Sequence, residues 1–277
     1  MKFIKLLCFD IKNGILRNKF LFISALAVSI SFVFDFSVRI SHINNDWGNY
    51  YLGDVIMYVY GGIKEYIPSR EERFAFPAIW TILMITQMIG TLNYPYDNLN
   101  SFGKQILIRA NNRSIWWISK CVWNIFYSVF YHMIIWCVIL LFCVIFDYEI
   151  KLDINTDLLM RFFDLRETDL SVEMINIPIY IFAVPIIMSL AVNLIEMTLS
   201  LFIRNIFSFL VMSCLMISSA YIMNFFMIGN CEMLIRNDYI LKNGINFECG
   251  AIFAFILIIL SFVIGAVKFN KYDIINS

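Results

Sequence analysis

The sequence predicts an all-α integral membrane protein with six transmembrane helices, an N-terminal amphipathic interfacial helix and both termini in the cytoplasm. Three observations predict this fold. Of the 277 residues, 61% are hydrophobic and only 15% are charged, unlike a water-soluble domain. Six segments are apolar over the roughly 20 residues that cross a hydrocarbon core of about 30 Å. Lysine and arginine are concentrated on one side of these segments. Residues 1–277 are interpreted as a single transmembrane domain.

The first element, residues 1–19, is expected to be a helix on the membrane surface. Ile4, Leu7, Ile11 and Ile15 recur at spacings of three and four, which gives one apolar stripe. The lysines lie mostly off this stripe, where they can meet anionic lipid head groups. An extension of the first span explains the same pattern, and that alternative stays open.

Six predicted spans follow. Their bounds are Phe20–Ile40, Phe74–Tyr94, Ile118–Phe146, Ile177–Ile203, Ile206–Ile228 and Ala251–Val267. Pro77 and Pro178 fall in first turns, where a missing N–H does no harm, and Pro95 is expected to close the second span. The apolar run Val55–Tyr60 is too short to span, so we expect it at the outer interface, where amphipathic rings prefer to lie.

The charge distribution sets the orientation. The loops on one side, together with both termini, contain 12 Lys and Arg residues and three acids. The opposite loops contain eight Lys and Arg residues and 16 acids. The positive side is cytoplasmic, so both termini are predicted to be inside. The outer side then receives residues 42–73, 147–176 and 229–248. The second of these loops is expected to be solvated and acidic, and the third is amphipathic enough to re-enter the outer leaflet.

Two spans contain ionisable residues, each of which needs a partner, a wet cavity or a neutral form in lipid. Asp35 and Arg39 lie one helical turn apart, so they are expected to pair on their own helix. Glu196 belongs to a polar face with spacings of four, three, four and four, made of Ser189, Asn193, Glu196, Ser200 and Arg204. This face is expected to point into the bundle, to another subunit or toward a translocation path. Interior packing and a path through Asn193, Glu196 and Ser200 both stay open.

Few residues are candidates for a metal site, a disulfide or a catalytic site. His42 and His132 are far apart, so His132 is expected to be a packed core residue and no metal site is predicted. Cys231 and Cys249 bracket the last polar loop and could form a disulfide in an oxidising exterior; two unconnected thiols are the alternative. No phosphate-cradling loop, H-E-x-x-H or G-x-S-x-G motif is present. The chain is therefore expected to be no enzyme and to bind no cofactor itself.

One long basic segment, residues 103–120, lies between apolar spans on the cytoplasmic side. It contains four basic residues and no acid, namely Lys104, Arg109, Arg113 and Lys120. Guanidinium groups form bidentate pairs with carboxylates, so a soluble partner could bind here. The alternative is that the basic residues only set the orientation of the chain in the membrane and that the tryptophans face lipid.

The spans, the surface helix and the basic segment together resemble an ABC-2-type transporter permease. The most sequence-specific part of the resemblance is Gly103, Arg109, Arg113, Trp116, Trp117, Ser119 and Lys120. The resemblance implies that this segment is a coupling helix in a groove of an ATPase subunit. The residues implied to contact the ATPase are Gly103, Lys104, Arg109, Arg113 and, in a second turn, Arg204. The residues implied to anchor the third span at the lipid–water interface are Trp116, Trp117 and Lys120.

The resemblance implies the membrane subunit of an ATP-driven exporter in the bacterial cell membrane. Its partners would be two ATPase subunits that hold ATP and Mg²⁺, a second identical or related permease, and membrane lipid; no nucleic acid is expected. A peptide such as a bacteriocin or lantibiotic, exported or expelled for self-immunity, is the expected substrate. Two alternatives come from other classes: an ion-coupled secondary transporter centred on Glu196, and a non-transporting membrane assembly or signalling subunit.

Overall fold

A computed structural model describes residues 2–42, 49–68, 74–100, 113–171 and 177–271. Within these ranges the chain is helical, with three isolated β-bridges and no β-strand. The α-helices are α1 (Lys2–Ile11), α2 (Lys19–Ser41), α3 (Leu52–Tyr60), α4 (Ala78–Leu92), α5 (Tyr94–Asn100), α6 (Arg113–Ile145), α7 (Thr156–Phe163), α8 (Ile177–Leu199), α9 (Asn205–Tyr221), α10 (Ile228–Glu232) and α11 (Phe247–Asn270). The shorter turns are a π-helix, Lys12–Leu16, and two 3-10 helices, Glu167–Asp169 and Leu234–Arg236.

Four of the described helices are long and apolar enough to cross a bilayer: α2, α6, residues 180–199 of α8, and α11. These four candidate spans coincide with the first, third, fourth and sixth predicted spans. The other two predicted spans correspond to α4, with 15 residues, and α9, with 17. Both are shorter than the roughly 20 residues of a full crossing, so six spans stay a prediction.

Helix α8 is the centre of the bundle. Of its candidate span 72% is buried, compared with 22% for α11. It packs against α4, α6, α9, α10 and α11. The outward faces of α2, α9 and α11 are apolar, with side chains such as Phe34, Ile206 and Ile259 more than half exposed. Contiguous exposed apolar surface of this kind suits lipid or another membrane-spanning chain.

Two predicted boundaries are wrong for identifiable reasons. Pro95 does not end a helix; α4 already stops at Leu92, and Pro95 lies in the first turn of α5, where its missing N–H has no partner to lose. Helix α9 stops at Tyr221 rather than Ile228 because Arg236 binds its last turn. The guanidinium donates to the carbonyl oxygens of Ser219, at 2.6 Å, and Ala220, at 2.8 Å. A cation at these carbonyls also complements the helix dipole.

Arg236 is buried and connects three parts of the region that is predicted to be outer. Besides the end of α9, it donates to the carbonyl oxygens of Ile63 and Lys64 and to the side chain of Asn230. Burial lowers the pKa of Arg236 to about 10. The stretch 228–237 therefore folds back into the bundle, whereas its depth in the outer leaflet stays a prediction.

The predicted interfacial run Val55–Tyr60 is buried within the protein, whereas its depth at the outer interface stays a prediction. This run forms α3, whose nine residues are all buried, in contact with α2, α4, α6, α7 and α8. A helix that is apolar on every side is stable only when every side is covered. Asp54 caps the helix from within: its carboxylate accepts from the backbone N–H groups of Tyr51 and Asn155.

The N-terminal helix is present, but its buried face differs from the predicted stripe. Leu6 and Asp10, which lie off the stripe, are buried together with Ile15 at its end, whereas Ile4 on the stripe is 63% exposed. Helix α1 packs against α6. The face that contacts protein therefore contains a carboxylate, and part of the apolar stripe is left for the membrane surface.

Candidate functional site

The first candidate region is the inner joint, defined as the contact of Asp10 and Tyr94 with Ser119 and Lys120. The Lys120 ammonium lies 2.5 Å from the Asp10 carboxylate, and both side chains are fully buried. The same carboxylate accepts from Ser119, at 2.6 Å, and from the hydroxyl of Tyr94, at 3.0 Å. Three donors thus satisfy one buried charge, as a buried ion pair requires.

The prediction that Lys120 anchors α6 at the lipid head groups is corrected by this geometry. Its ammonium is enclosed between the rings of Tyr94, at 4.7 Å, and Trp116, at 4.9 Å. A fully buried ammonium cannot reach head groups, and another subunit could only cover it further. Lys120 therefore fixes α6 to α1.

The two tryptophans also anchor α6 to protein rather than to the interface. Trp116 stacks on Phe269 of α11 with ring centroids 4.5 Å apart, and the indole N–H of Trp117 donates to the Phe262 carbonyl at 3.1 Å. Both indoles are only 1% exposed. Gly265 permits this approach, since a Cβ there would lie 1.9 Å from the Trp117 ring.

Of the other residues predicted to contact an ATPase, some lie within the described part of the chain and some do not. Gly103, Lys104 and Arg109 lie outside the described residues. Arg113 begins α6 and donates to the carbonyl oxygen of Asn270, at 2.8 Å, near the end of α11. Arg204 is exposed in the turn between α8 and α9 and is free of the buried polar contacts that hold Lys120.

The second candidate region is the polar ladder, a series of polar side chains between α6 and the facing helices. At its outer end the hydroxyl of Tyr60 lies 2.9 Å from Nδ1 of His132, and Nε2 of the same ring lies 3.0 Å from Oγ of Ser189. All three side chains are buried. His132 is thus a core residue, as predicted, and both of its ring nitrogens have polar partners.

One helical turn further in, three helices meet at a serine. Oγ of Ser128 on α6 accepts from the side-chain amides of Gln87 on α4 and Asn193 on α8, each at 3.3 Å. The polar face of α8 therefore points into the bundle. Continuing the antiparallel pairing of α6 with α8 by one more turn brings Glu196 level with Asn124.

Glu196 is the least satisfied member of this region. It is 2% exposed, and neither carboxylate oxygen has a hydrogen-bond partner in the part of the chain that the structure describes. Other polar atoms of α4 and α6 are in the same condition: both polar atoms of Asn124, Oε1 of Gln87 and the hydroxyl of Tyr127, which neighbours Glu196, are buried and unpartnered among the described residues. Ser200, the next residue on the predicted face, donates instead to the carbonyl of Met197. Buried polar groups are normally paired, so this cluster needs an explanation.

The sequence contained a signal for the ladder that the prediction did not use. Asn124, Ser128 and His132 recur at spacings of four on α6 and mirror the polar face of α8. Two polar faces on apolar helices are best buried against each other. Asp10, Tyr60 and Gln87 carry no comparable periodic signal.

The end of the bundle that is predicted to be outer has an open cleft of about 530 Å³ beside Gly62 and Lys64. It is lined by aromatic rings and by both signs of charge, including Arg39, Lys64, Glu65, Trp80, Phe163 and Asp164. The predicted pair of Arg39 with Asp35 is confirmed at 3.0 Å, and the hydroxyl of Tyr58 also donates to Asp35. The cleft is distinct from the ladder, although the segment after Tyr60 forms part of its wall.

Two further predictions concern a disulfide and a metal site. Cys231 is buried and Cys249 exposed, and both are free thiols in the structure. In the described part of the chain, no group of three or more histidine, cysteine, aspartate or glutamate side chains could hold a metal ion.

The fold and the ladder define a helical membrane protein with several candidate spans and a polar interior. The chain belongs to the DUF2705 family, whose description is a protein of unknown function; the match covers residues 50–275. Neither a curated protein nor a solved structure matches the chain significantly.

Proposed function

We propose that this chain is the membrane-spanning subunit of an ATP-driven exporter of the ABC-2 type. Separate ATPase subunits would act on the basic segment, residues 103–120, and would hold ATP and Mg²⁺. A second permease, identical or related, would complete the translocation path. The proposed substrate is a peptide of the bacteriocin or lantibiotic type.

The observation that carries the proposal is the inner joint. Helix α6 has 33 residues and is about 50 Å long, so its first turns extend past a hydrocarbon core of about 30 Å. These turns are fixed to α1 by the Asp10–Lys120 pair and to α11 by Trp116 on Phe269. A force applied just before Arg113 would therefore act on three helices together. Close-packed contacts of this kind transmit displacement rather than absorb it.

The proposal is tested by purifying the tagged chain from its native cell in mild detergent. A stoichiometric ATP-binding subunit is expected to accompany the wild type and to be lost from the Arg109→Glu, Arg113→Glu double variant. The matched control is Lys242→Glu, a charge reversal at an exposed outer position, which should retain the subunit. Absence of an ATPase from the wild type would overturn the proposal, and retention by the double variant would overturn the proposed coupling site.

An ion-coupled secondary transporter is the second candidate, because the buried carboxyl of Glu196 has no hydrogen-bond partner among the described residues. The two candidates differ in their energy source. Transport by the ABC-type exporter would persist in the presence of a protonophore as long as ATP is supplied. Transport by the second candidate would stop with the protonophore and survive ATP depletion.

A further inference from the structure

The cleft beside Gly62 and Lys64 has a wall whose backbone is fixed from behind. Gly62 has a φ of 79°, in the left-handed region that glycine adopts readily. The next two carbonyl oxygens accept from the buried Arg236 guanidinium, Ile63 at 2.8 Å and Lys64 at 3.2 Å. The cleft is therefore formed before any ligand arrives, and its volume of about 530 Å³ is ordinary for a ligand site.

Aromatic rings make up much of the lining of the cleft. They belong to Tyr58, Tyr66, Phe76, Trp80, Phe162 and Phe163. Some of these rings are held by other rings: Tyr58 packs on Phe162 with centroids 5.1 Å apart, and Tyr66 packs on Tyr221 at 5.3 Å. Ring faces attract cations, and they also cover the aliphatic part of a lysine or arginine side chain.

The two cations of the lining are already neutralised. Arg39 is paired with Asp35 at 3.0 Å and lies over the Tyr58 ring. Lys64 donates to the carboxylate of Asp164 at 2.9 Å and to the backbone carbonyl oxygen of the same residue at 2.5 Å. An anionic ligand would have to compete with these carboxylates for either cation.

Glu65 supplies the uncompensated charge of the cleft. It is exposed, and no ion pair joins it to another described residue. Arg236 lies near enough to interact with Glu65 electrostatically, but all five of its N–H groups donate to other acceptors. The side chain of Asp164 is 88% exposed in spite of its contact with Lys64. The cleft therefore presents two accessible carboxylates beside aromatic rings, a combination that favours a cation.

The surrounding charge and one buried donor indicate which molecule carries this cation. The three loops predicted to be outer contain 16 acids and eight basic residues, so their field attracts cations from solution. Trp80 lines the cleft, and its buried indole N–H has no acceptor among the described residues. A cationic peptide brings a carbonyl acceptor with every residue. The phosphate of a lipid head group, by contrast, would lie beside the same two carboxylates.

We propose that this cleft binds a lysine or arginine side chain of a cationic peptide, from the side of the membrane predicted to be outer. The cation faces the carboxylates of Glu65 and Asp164, and the aliphatic chain lies on the aromatic rings. The choice of a peptide rests on the function proposed above, to which it adds that this chain recognises the peptide itself, without ATP. A site open to the outside suits a peptide that is expelled for self-immunity.

The first test measures peptide binding to the purified chain in nanodiscs of phosphatidylcholine, with empty nanodiscs as background. The probe is a fluorescent peptide of alternating lysine and leucine, followed by anisotropy. Glu65→Gln should weaken binding by about tenfold, as expected for the loss of a hydrogen bond between charged groups. Glu167→Gln removes an exposed carboxylate outside the cleft lining and should leave the Kd unchanged. Equal Kd values for the wild type and Glu65→Gln, or no binding by the wild type, would overturn the proposal.

Competition tests the nature of the ligand. A peptide with glutamate in place of each lysine should not displace the probe, and nanodiscs of phosphatidylethanolamine should give the same Kd as those of phosphatidylcholine. Displacement by the acidic peptide would show that the cleft takes an anion. Loss of probe binding in phosphatidylethanolamine would show that it takes a lipid head group. Either result would overturn the proposal.

Photo-crosslinking locates the bound peptide. A benzophenone side chain in place of Phe76, which lines the cleft and is 48% exposed, should form an adduct with the probe. The same group in place of Phe226, which is exposed outside the cleft lining, should form none. Equal adducts from the two positions, or an adduct from position 226 alone, would contradict the site. These experiments contain no ATPase, so their failure leaves the proposed ATPase coupling intact, and a missing ATPase leaves the peptide site intact.

Discussion

Two ion pairs in this chain differ mainly in their contact with solvent. Asp35 and Arg39 are about half exposed, whereas Asp10 and Lys120 are fully buried. Exposed pairs contribute about 0–1 kcal/mol because water screens them. Removing one partner of a buried pair leaves an uncompensated charge and costs about 3–5 kcal/mol. The inner joint is therefore where single substitutions should have large effects on stability.

We expect Lys120→Met to lower the free energy of unfolding by about 3 kcal/mol or more, since it leaves the Asp10 carboxylate buried without a cation. The double variant Asp10→Leu, Lys120→Met should recover most of this loss, because it removes both charges. Thermal unfolding in detergent measures the stabilities of the single variant, the double variant and the wild type. Arg39→Gln is the matched control, with an expected change below about 1 kcal/mol. Equal effects of Lys120→Met and Arg39→Gln would contradict the burial of the joint.

Contact between α4 and α6 depends on Gly90. A Cβ at this position would lie 1.7 Å from the hydroxyl oxygen of Tyr127. Gly90→Ala is therefore expected to destabilise the bundle by about 1–3 kcal/mol through overpacking, and Tyr127→Phe should relieve part of that loss. Gly250→Ala, whose Cβ would meet no atom closer than 3.4 Å, serves as control in the same thermal unfolding assay. Additive effects of Gly90→Ala and Tyr127→Phe would show that the two positions do not touch.

Helix α3 gives a pH-dependent prediction. Burial raises the pKa of Asp54 from a usual value of 3.8 to about 6. The hydrogen bonds that its carboxylate accepts from Asn155 and Tyr51 act in the opposite direction and lower the pKa. The folded state therefore binds this proton more tightly than the unfolded chain. The ionised Asp54 carboxylate therefore destabilises the folded state, fully above pH 6 and progressively less toward pH 4. At about 1.36 kcal/mol per pKa unit, this destabilisation is at most about 3 kcal/mol.

Acidification from pH 7 to pH 5 should accordingly stabilise the wild type more than Asp54→Asn, as measured by melting temperature in detergent. Asp157→Asn, at an exposed position in the first turn of α7, should keep the wild-type pH dependence. An unchanged pH dependence in Asp54→Asn would remove Asp54 as its source.

The elements also show what sequence patterns can and cannot predict here. Hydropathy placed the four long helices within a few residues, because a span needs only length and apolar composition. It did not predict the end of α9 or the burial of α3, because these depend on Arg236 and on contacts from distant segments. The polar face of α8 was predictable from its period, whereas the Asp10–Lys120 pair joins residues 110 positions apart and leaves no periodic trace.

For the whole molecule, the predicted orientation can be tested with two native thiols, Cys8 in α1 and Cys249 in α11, which are both exposed. In single-cysteine variants, a membrane-impermeant maleimide added to intact cells should label Cys249 and not Cys8. Cys8 should react only after the membrane is opened. Labelling of both thiols from outside would contradict an inside N-terminus. In the chain that also keeps Cys231, labelling of Cys249 only after reduction would reveal the predicted disulfide.

The central claim is that a separate ATPase binds the basic segment ahead of α6. Photo-crosslinking from position 109, with a benzophenone side chain in place of Arg109, tests it most directly. We predict one adduct with an ATP-binding subunit from position 109 and none from the same group at Glu248 on the outer side. Adducts with lipid alone from position 109, in the native cell, would contradict the claim and favour the ion-coupled transporter centred on Glu196.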